Sequence, residues 1–387
     1  MRVKLDDVIA RITGNVDRFN TDLEYYVGGE HYDYASIAIY NKGLLKSEKG
    51  SMLGFKFHFP FQKGDTLFMA RNPHLKKAGM VTYDGICSDA SYVLRTKDHK
   101  VLLPEFLPLI IQNDLFWAFF EANKSGSVNY LMNWKEMRNY EFELPSIERQ
   151  KAIADMVWAA ERTRKAYISL VEATDELVKS QFIEMFGDLK NNSKSFDLKP
   201  LSELIQIERG GSPRPIEKYI TDSPDGVNWI KIGDAVEGSI FITQTKEKII
   251  REGTKKSRYV QPGDFLLSNS MSFGRPYILT IDGYIHDGWL VLRDNDKLFN
   301  KLFLHTLLSS DYAMASFESM AAGSVVKNLN KEVVGKLRVP VPDMALQTAF
   351  AAFVEQSDKS KFVVSNRNLS RCLVIRSTTI SSGLPNP

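Results

Sequence analysis

The sequence predicts a mixed α/β (α+β) chain in which two tandem domains, related by a pseudo-two-fold internal repeat, are separated by long coiled-coil helices. Three observations predict it. The chain repeats itself with a period near half its length, the first part of each copy consists of short apolar runs between turn residues, and a heptad pattern follows.

The repeat is read first. Gly126-Ser127-Val128 recurs as Gly323-Ser324-Val325, an offset of 197 residues. The same offset pairs Phe106 with Phe303, Asp114 with Asp311, Pro145 with Pro342, Gln150 with Gln347, Ala154 with Ala351 and Val157 with Val354. Upstream it drifts by a residue or two: Gly64-Asp65 meets Gly263-Asp264, Asp84-Gly85 meets Asp282-Gly283, Asp89 meets Asp287, and Val93-Leu94-Arg95 meets Val291-Leu292-Arg293. Chance matches do not keep one register this long.

Within each copy, Thr66-Leu67-Phe68-Met69, Tyr92-Val93-Leu94-Arg95 and Asp264-Phe265-Leu266-Leu267 are short apolar runs bounded by Gly, Asp and Pro, the pattern of strands. Residues 106–122 and 302–320 read as one helix each, with apolar positions at helical spacing that pack a core.

After Pro145, residues Ile153, Met156, Ala160, Thr163, Tyr167, Leu170, Thr174 and Leu177 alternate steps of three and four, a heptad seam flanked by charges. Two threonines and an alanine make it too weak to associate alone, so it needs a partner helix. The repeat's own copy supplies one, beginning near Met344 and keeping Phe350, Phe353 and Val364 in register. Beyond Val364 the matching positions become Arg367, Arg371 and Val374. The expected organisation is a first domain at 1–145, a central helix at 146–188, a linker at 189–195, a second domain at 196–342, a C-terminal helix at 343–376 that degenerates after about 364, and a flexible tail at 377–387.

A chain of 387 residues with 43% apolar content can bury two cores. A net charge of +3 argues against a DNA-mimicking acidic protein and requires any basic face to be local. Cys87 and Cys372, far apart, suggest neither a disulfide framework nor a zinc site, which fits a cytoplasmic setting. Acids at Asp6 and Asp7 stand where a signal peptide needs an apolar run, and no stretch of about 18 apolar residues occurs, so no membrane role is expected.

Catalytic patterns are absent from the sequence. His31, His58, His74, His99, His286 and His305 are scattered, and none forms a metal-ligand pair beside a carboxylate. Gly210-Gly211-Ser212-Pro213-Arg214-Pro215 lacks the lysine-hydroxyl pair of a phosphate loop, and its prolines remove backbone donors. Asn72-Pro73 begins like the base-holding motif of amino methyltransferases, but His74-Leu75 follow. No metal, no cofactor and no catalytic residue is expected.

The polar loops suit a nucleic acid. Between two strands of the first copy, Arg71, Asn72, His74, Lys76 and Lys77 combine base-reading and phosphate-binding side chains. The matching loop of the second copy offers Ser268, Asn269, Ser270, Phe273 and Arg275, a different chemistry on the same scaffold. Further candidates are Arg209, Ser212, Arg214 and Lys231, with Asn129, Tyr130 and Asn133 after the first Gly-Ser-Val and Ser324, Lys327, Asn328 and Asn330 after the second. Tyr25, Tyr26, Gly28, Gly29, Glu30 and His31 form a polar, aromatic stretch in the first copy that is expected to correspond to the Gly210 turn of the second.

Taken in order, these residues resemble the specificity subunits of type I restriction-modification systems. Gly210-Gly211-Ser212-Pro213, then Trp229-Ile230-Lys231-Ile232-Gly233-Asp234, then Pro262-Gly263-Asp264-Phe265-Leu266 are similar to their target-recognition domain, and Tyr26-Val27-Gly28-Gly29-Glu30-His31 to a variant of its opening. Residues 144–188 are similar to their central conserved helix. The resemblance implies a non-catalytic subunit that reads a bipartite double-stranded DNA target, one half-site per domain. It also implies docking of two methyltransferase subunits, which bind S-adenosylmethionine, and of the endonuclease/translocase subunits. A helix over 148–185 spans about 57 Å at ~1.5 Å per residue, roughly 17 base pairs. The C-terminus departs from the family pattern after Val364, which implies a shortened or altered final connector and puts docking of the second methyltransferase in question. Two other readings stay open: a stand-alone DNA-modifying enzyme, which binds S-adenosylmethionine itself, and a protein-only scaffold, which shows no sequence-selective DNA binding.

Overall fold

Short apolar runs separated by Gly-Asp turns cannot make long helices, and the chain folds them into stacked sheets. The computed structural model describes residues 1–72, 75–123, 131–236, 238–269, 274–321 and 329–358. They fall into two units that divide within the long helix, between Ile168 and Ser169.

In the first unit a five-stranded sheet has the order Ile9–Ile12, Ser91–Thr96, Thr66–Met69, Ala78–Val81, Ala38–Ile39, and a four-stranded sheet the order Gly43–Leu44, Tyr25–Val27, Gly85–Ser88, Phe57–Phe61. The second unit builds the same five-stranded sheet from Gln206–Arg209, Trp289–Arg293, Phe265–Ser268, Pro276–Leu279 and Phe241–Ile242. Its second sheet runs Ile220–Thr221, Glu247–Ile249, Val227–Ile230, Gly283–Ile285, Arg258–Val260. In both units the pairing is antiparallel except at two places: Tyr25–Val27 on Gly85–Ser88 matches Val227–Ile230 on Gly283–Ile285, and Ala38–Ile39 on Ala78–Val81 matches Phe241–Ile242 on Pro276–Leu279.

Each five-stranded sheet is covered on both faces, which is why its strands read as continuous apolar runs. Phe68 and Leu94 face the helices of the first unit, while Leu67 and Val93 face the four-stranded sheet. In the second unit Leu267 and Leu292 face helices, and Leu266 and Val291 face the other sheet. The shared Gly-Asp turns are alike in detail. Gly64 and Gly263 both sit at φ +93°, a left-handed conformation that disfavours side chains. The buried carboxylates beside them hold Arg95 at 2.7 Å and Arg293 at 3.1 Å.

The helices expected over 106–122 and 302–320 are each two. Leu107–Ile111 is followed by Asp114–Asn123, and Lys301–Ser309 by Asp311–Ala321. The break is a helix start: Asn113 Oδ1 accepts from the Leu115 amide at 2.8 Å, and Ser310 Oγ from the Ala313 amide at 3.2 Å. Both are residue types that favour such a cap, 197 positions apart.

The central helix runs Ile147–Phe186, 40 residues. A C-terminal helix begins at Met344, as expected, and continues to the last described residue at 358. The stripe buried by the central helix differs from the expected seam. Met156, Leu170 and Leu177 are exposed and Ile153, Ala160 and Tyr167 half-buried, whereas Gln150, Ala154, Val157, Trp158, Glu161, Phe182 and Phe186 are buried. The stripe therefore lies about one position C-terminal to the heptad reading. The cause is a buried side chain. Gln150 Nε2 donates to Val101 O at 2.8 Å and Pro145 O at 3.0 Å, and its Oε1 accepts from Leu103 N at 3.0 Å. That sets the helix's rotation on its own domain.

The second copy repeats the tie: Gln347 donates to Leu298 O and Pro342 O and accepts from Asn300 N. Phe350 is buried as expected, with its ring 5.5 Å from those of Phe182 and Phe186, and Phe353 is half-buried while Val354 is buried. Val364, the degenerate helix end and the tail lie outside the described residues. Gln347→Leu keeps the volume and strands three backbone groups. It is expected to cost about 3 kcal/mol, read as a lowered urea midpoint; an unchanged midpoint contradicts the lock.

Candidate nucleic-acid interface

In the second unit, one end of the five-stranded sheet collects polar side chains from neighbouring strands. Strand Gln206–Arg209 ends at Arg209, Phe265–Ser268 leads into Asn269, and Arg275 precedes Pro276–Leu279. Their focus is Asp287, in the turn before Trp289–Arg293. Its carboxylate accepts from Ser212 Oγ at 2.8 Å and pairs with Arg214 at 3.3 Å. Its carbonyl accepts from Arg209 Nε at 3.1 Å and Asn269 Nδ2 at 2.8 Å. Burial opposes its charge, but the Ser212 hydroxyl, His286, its own amide and Arg214 outweigh that and hold the Asp287 carboxyl below its ordinary value. Arg209, Arg214 and Arg275 remain exposed. The arrangement presents three guanidinium groups at one sheet end, two of them fixed by the same aspartate.

Several expected contact residues have internal roles instead. Ser268 and Asn269 are buried: Ser268 Oγ accepts from the Arg275 amide at 3.0 Å, and Asn269 braces Asp287. Backbone pairing across the loop turned both inward. Asn330 caps the helix Lys331–Gly335 by accepting from Val333 N at 2.8 Å. Lys231 is ion-paired with Glu247.

In the first unit the corresponding loop is tied down in the same way. Met132 N donates to Ala70 O at 2.9 Å, as Leu329 N does to Asn269 O, so Arg71 pairs across its backbone with Leu131; Arg71 and Asn133 are both exposed. Asn72 adopts φ +58° and is half-buried. Lys76 pairs with Asp114 at 3.0 Å, and Lys77 Nζ donates to Gly29 O at 2.7 Å, so both lysines already hold partners. His74, Asn129, Tyr130, Ser270, Phe273, Ser324, Lys327 and Asn328 lie outside the described residues.

The structure also realigns the two copies. Tyr25–Val27 occupies the place of Val227–Ile230, and each leads into a single 3-10 turn, Gly29–His31 and Ile232–Asp234. The third residue of each turn accepts from the amide before it: His31 Nδ1 from Gly28 N at 2.9 Å, Asp234 Oδ2 from Lys231 N at 2.8 Å. Burial foremost holds the His31 imidazole below its ordinary value, the direction that favours the neutral ring. The Tyr26–His31 stretch thus corresponds to Trp229–Asp234 and not to the Gly210 turn. Different side chains performing one backbone task hid the match. Asp287 was also missed as a site residue, though its pairing with Asp89 in the repeat was a signal for it.

Among the described residues no group of three or more histidines, cysteines or carboxylates is placed to hold a metal ion, and no helix is long and apolar enough to cross a membrane.

Comparison with known proteins gives a consistent result. The family model for the type I restriction modification DNA specificity domain matches twice, over residues 1–166 and 193–369. A chain of Methanocaldococcus jannaschii assigned as the MjaX type I restriction enzyme specificity subunit is 20% identical over 306 residues, covering 76% of this chain and 72% of the relative. The crystal structure of a type I restriction-modification S subunit from M. genitalium aligns with TM-score 0.63 at 14% identity, over 100% of this chain and 96% of its own. A chain from a study of complex assembly and conformational transition in a type I R-M system aligns with TM-score 0.53 at 18% identity, over 98% and 95%.

A depressed carboxyl pKa stabilises the fold above the unfolded value and loses that contribution as pH falls through the folded value. Asp287→Asn is therefore expected to be less stable than the parent at neutral pH, with the gap closing below about pH 4. Denaturant unfolding across pH 3 to 7 measures this, and a pH-independent gap contradicts it.

Proposed function

The chain belongs to the type I restriction-modification DNA specificity family, and we propose that each of its repeats reads one half of a split DNA target through the sheet end described above. The family is one of non-catalytic specificity subunits that recognise DNA. The finer reading rests on one observation: a single framework, the same to its Gly-Asp turns and buried glutamines, is built twice and carries different exposed side chains at the same sheet end. A duplicated framework with divergent edges is the economical way to read two different half-sites.

In this reading Arg71 serves the first half-site and Arg209, Arg214 and Arg275 the second, since guanidinium groups bind phosphates and pair bidentately with guanine. Asn133 adds a polar contact in the first. The chain acts in the cytoplasm with two methyltransferase subunits and the endonuclease/translocase subunits. S-adenosylmethionine is bound by the methyltransferase, so calorimetry of this chain alone is expected to show no binding of that cofactor.

Methylation mapping in a host that expresses the chain with its methyltransferase identifies the target. Arg71→Gln is then expected to relax discrimination in one half-site only and Arg275→Gln in the other, each by roughly 10- to 100-fold. Relaxation of the same half-site by both variants contradicts the assignment.

A further inference from the structure

The strands Gly43–Leu44 and Phe57–Phe61 lie on opposite edges of the four-stranded sheet, so the chain between them crosses it. The crossover is anchored on its inner side. Leu45 packs with Tyr26 and Ile86, and Leu53 and Phe57 lie against them. Gly50 is pressed on the carbonyls of Leu44 and Leu45, where a Cβ would come within 2.3 Å of each oxygen. Ser47 Oγ accepts from the Gly50 amide at 3.0 Å. On the outer side Met52 is 72% exposed and Phe55 80% exposed. Two large apolar side chains three residues apart are thus held in water by an ordered backbone.

Charge and position identify the partner. Residues 42–58 contain Lys42, Lys46, Lys49 and Lys56 against Glu48 alone, and these lysines are exposed. Asp89 N donates to Lys56 O at 3.0 Å, and Ala70 N donates to Ala90 O at 2.9 Å, so Phe55 and Lys56 adjoin the turn beside Arg71. The second copy has its own crossover between the matching strands, the 3-10 helix Arg251–Lys256. It carries Arg251, Lys255 and Lys256 with Glu252, and no large apolar residue. It too adjoins the candidate edge: Gly211, next to Ser212, lies so close that a Cβ would be 2.4 Å from the Lys256 carbonyl oxygen. A basic crossover therefore flanks the edge in both copies, and apolar tips are added in one.

We infer that residues 45–56 form a second DNA-binding element of the first repeat, in which Phe55 and Met52 enter the duplex as an apolar wedge between lysines that hold the flanking phosphates. Apolar side chains inserted at a base step unstack it and kink the duplex. The inference rests on the DNA-reading function proposed above.

The test uses the full chain assembled with its methyltransferase and an end-labelled duplex carrying the mapped target. Phe55→Ser combined with Met52→Ser is expected to weaken binding roughly tenfold, the loss of about one aromatic contact with a base. The slope of log affinity against log salt stays unchanged, and the bend read by energy transfer between the duplex ends is reduced. Lys46→Gln combined with Lys49→Gln is expected to lower that slope by roughly two, one counterion per lysine. Thermal midpoints verify that these exposed substitutions leave the fold intact. Unchanged affinity and bend in the Phe55, Met52 variant overturn the wedge. So does normal DNA binding with loss of the methyltransferase, which assigns the patch to a protein partner. If the parent complex does not bind the duplex, the proposed function itself falls, and the wedge with it.

Discussion

Gln150 and Gln347 sit in the first turns of their helices with no exposed surface, and each amide makes three hydrogen bonds to backbone groups of its own domain. A buried polar side chain is costly unless all its groups are paired, and it tolerates little rotation once they are. Each glutamine therefore decides which face of its helix meets its domain. Ala154 and Val157 follow Gln150 on that face, as Ala351 and Val354 follow Gln347. Everything farther along the helix inherits this rotation.

This constraint explains where the sequence was legible and where it was not. The repeat pairs Gln150 with Gln347, Ala154 with Ala351 and Val157 with Val354, which sequence alone offers only as a register, and these pairs are the buried positions. The heptad reading from Ile153 to Leu177 falls beside that stripe, with Ile153, Ala160 and Tyr167 half-buried and Met156, Leu170 and Leu177 exposed. It could not weigh a glutamine as a core residue. Helix breaks at Asn113 and Ser310 were written in cap residues but masked by the apolar runs around them. The strands, by contrast, were readable from their turns, since Gly-Asp beside an apolar run leaves few alternatives.

The candidate edge was legible as composition and illegible as geometry. Arg71, Arg209, Arg214 and Arg275 are candidates by residue type and are exposed. Ser268 and Asn269, equally polar, are framework. Nothing in a single sequence distinguishes an asparagine that reads from one that braces, because the difference lies in pairing with residues distant along the chain, as Asn269 pairs with Asp287, Gly288 and Leu329. The correspondence of His31 with Asp234 was hidden for a related reason. An imidazole nitrogen and a carboxylate oxygen both accept from a backbone amide, so the same local task is met by residues that share no chemical class.

The two edges also differ in how they hold their cations. In the second unit Asp287 fixes Arg209 and Arg214 directly. In the first, the aspartate at the matching place, Asp89, lies 3.8 Å from Lys56 of the crossover. One aspartate position thus organises an arginine pair in one copy and a lysine beside an apolar tip in the other. Cations already restrained by a neighbouring carboxylate lose less side-chain freedom on meeting a phosphate, at the cost of some attraction screened by that carboxylate. A chain with a net charge of only +3 gains from this arrangement. In the proposed reading long-range attraction to nucleic acid is modest, so the guanidinium groups would contribute through placement, and placement would let one duplicated scaffold carry two different readings.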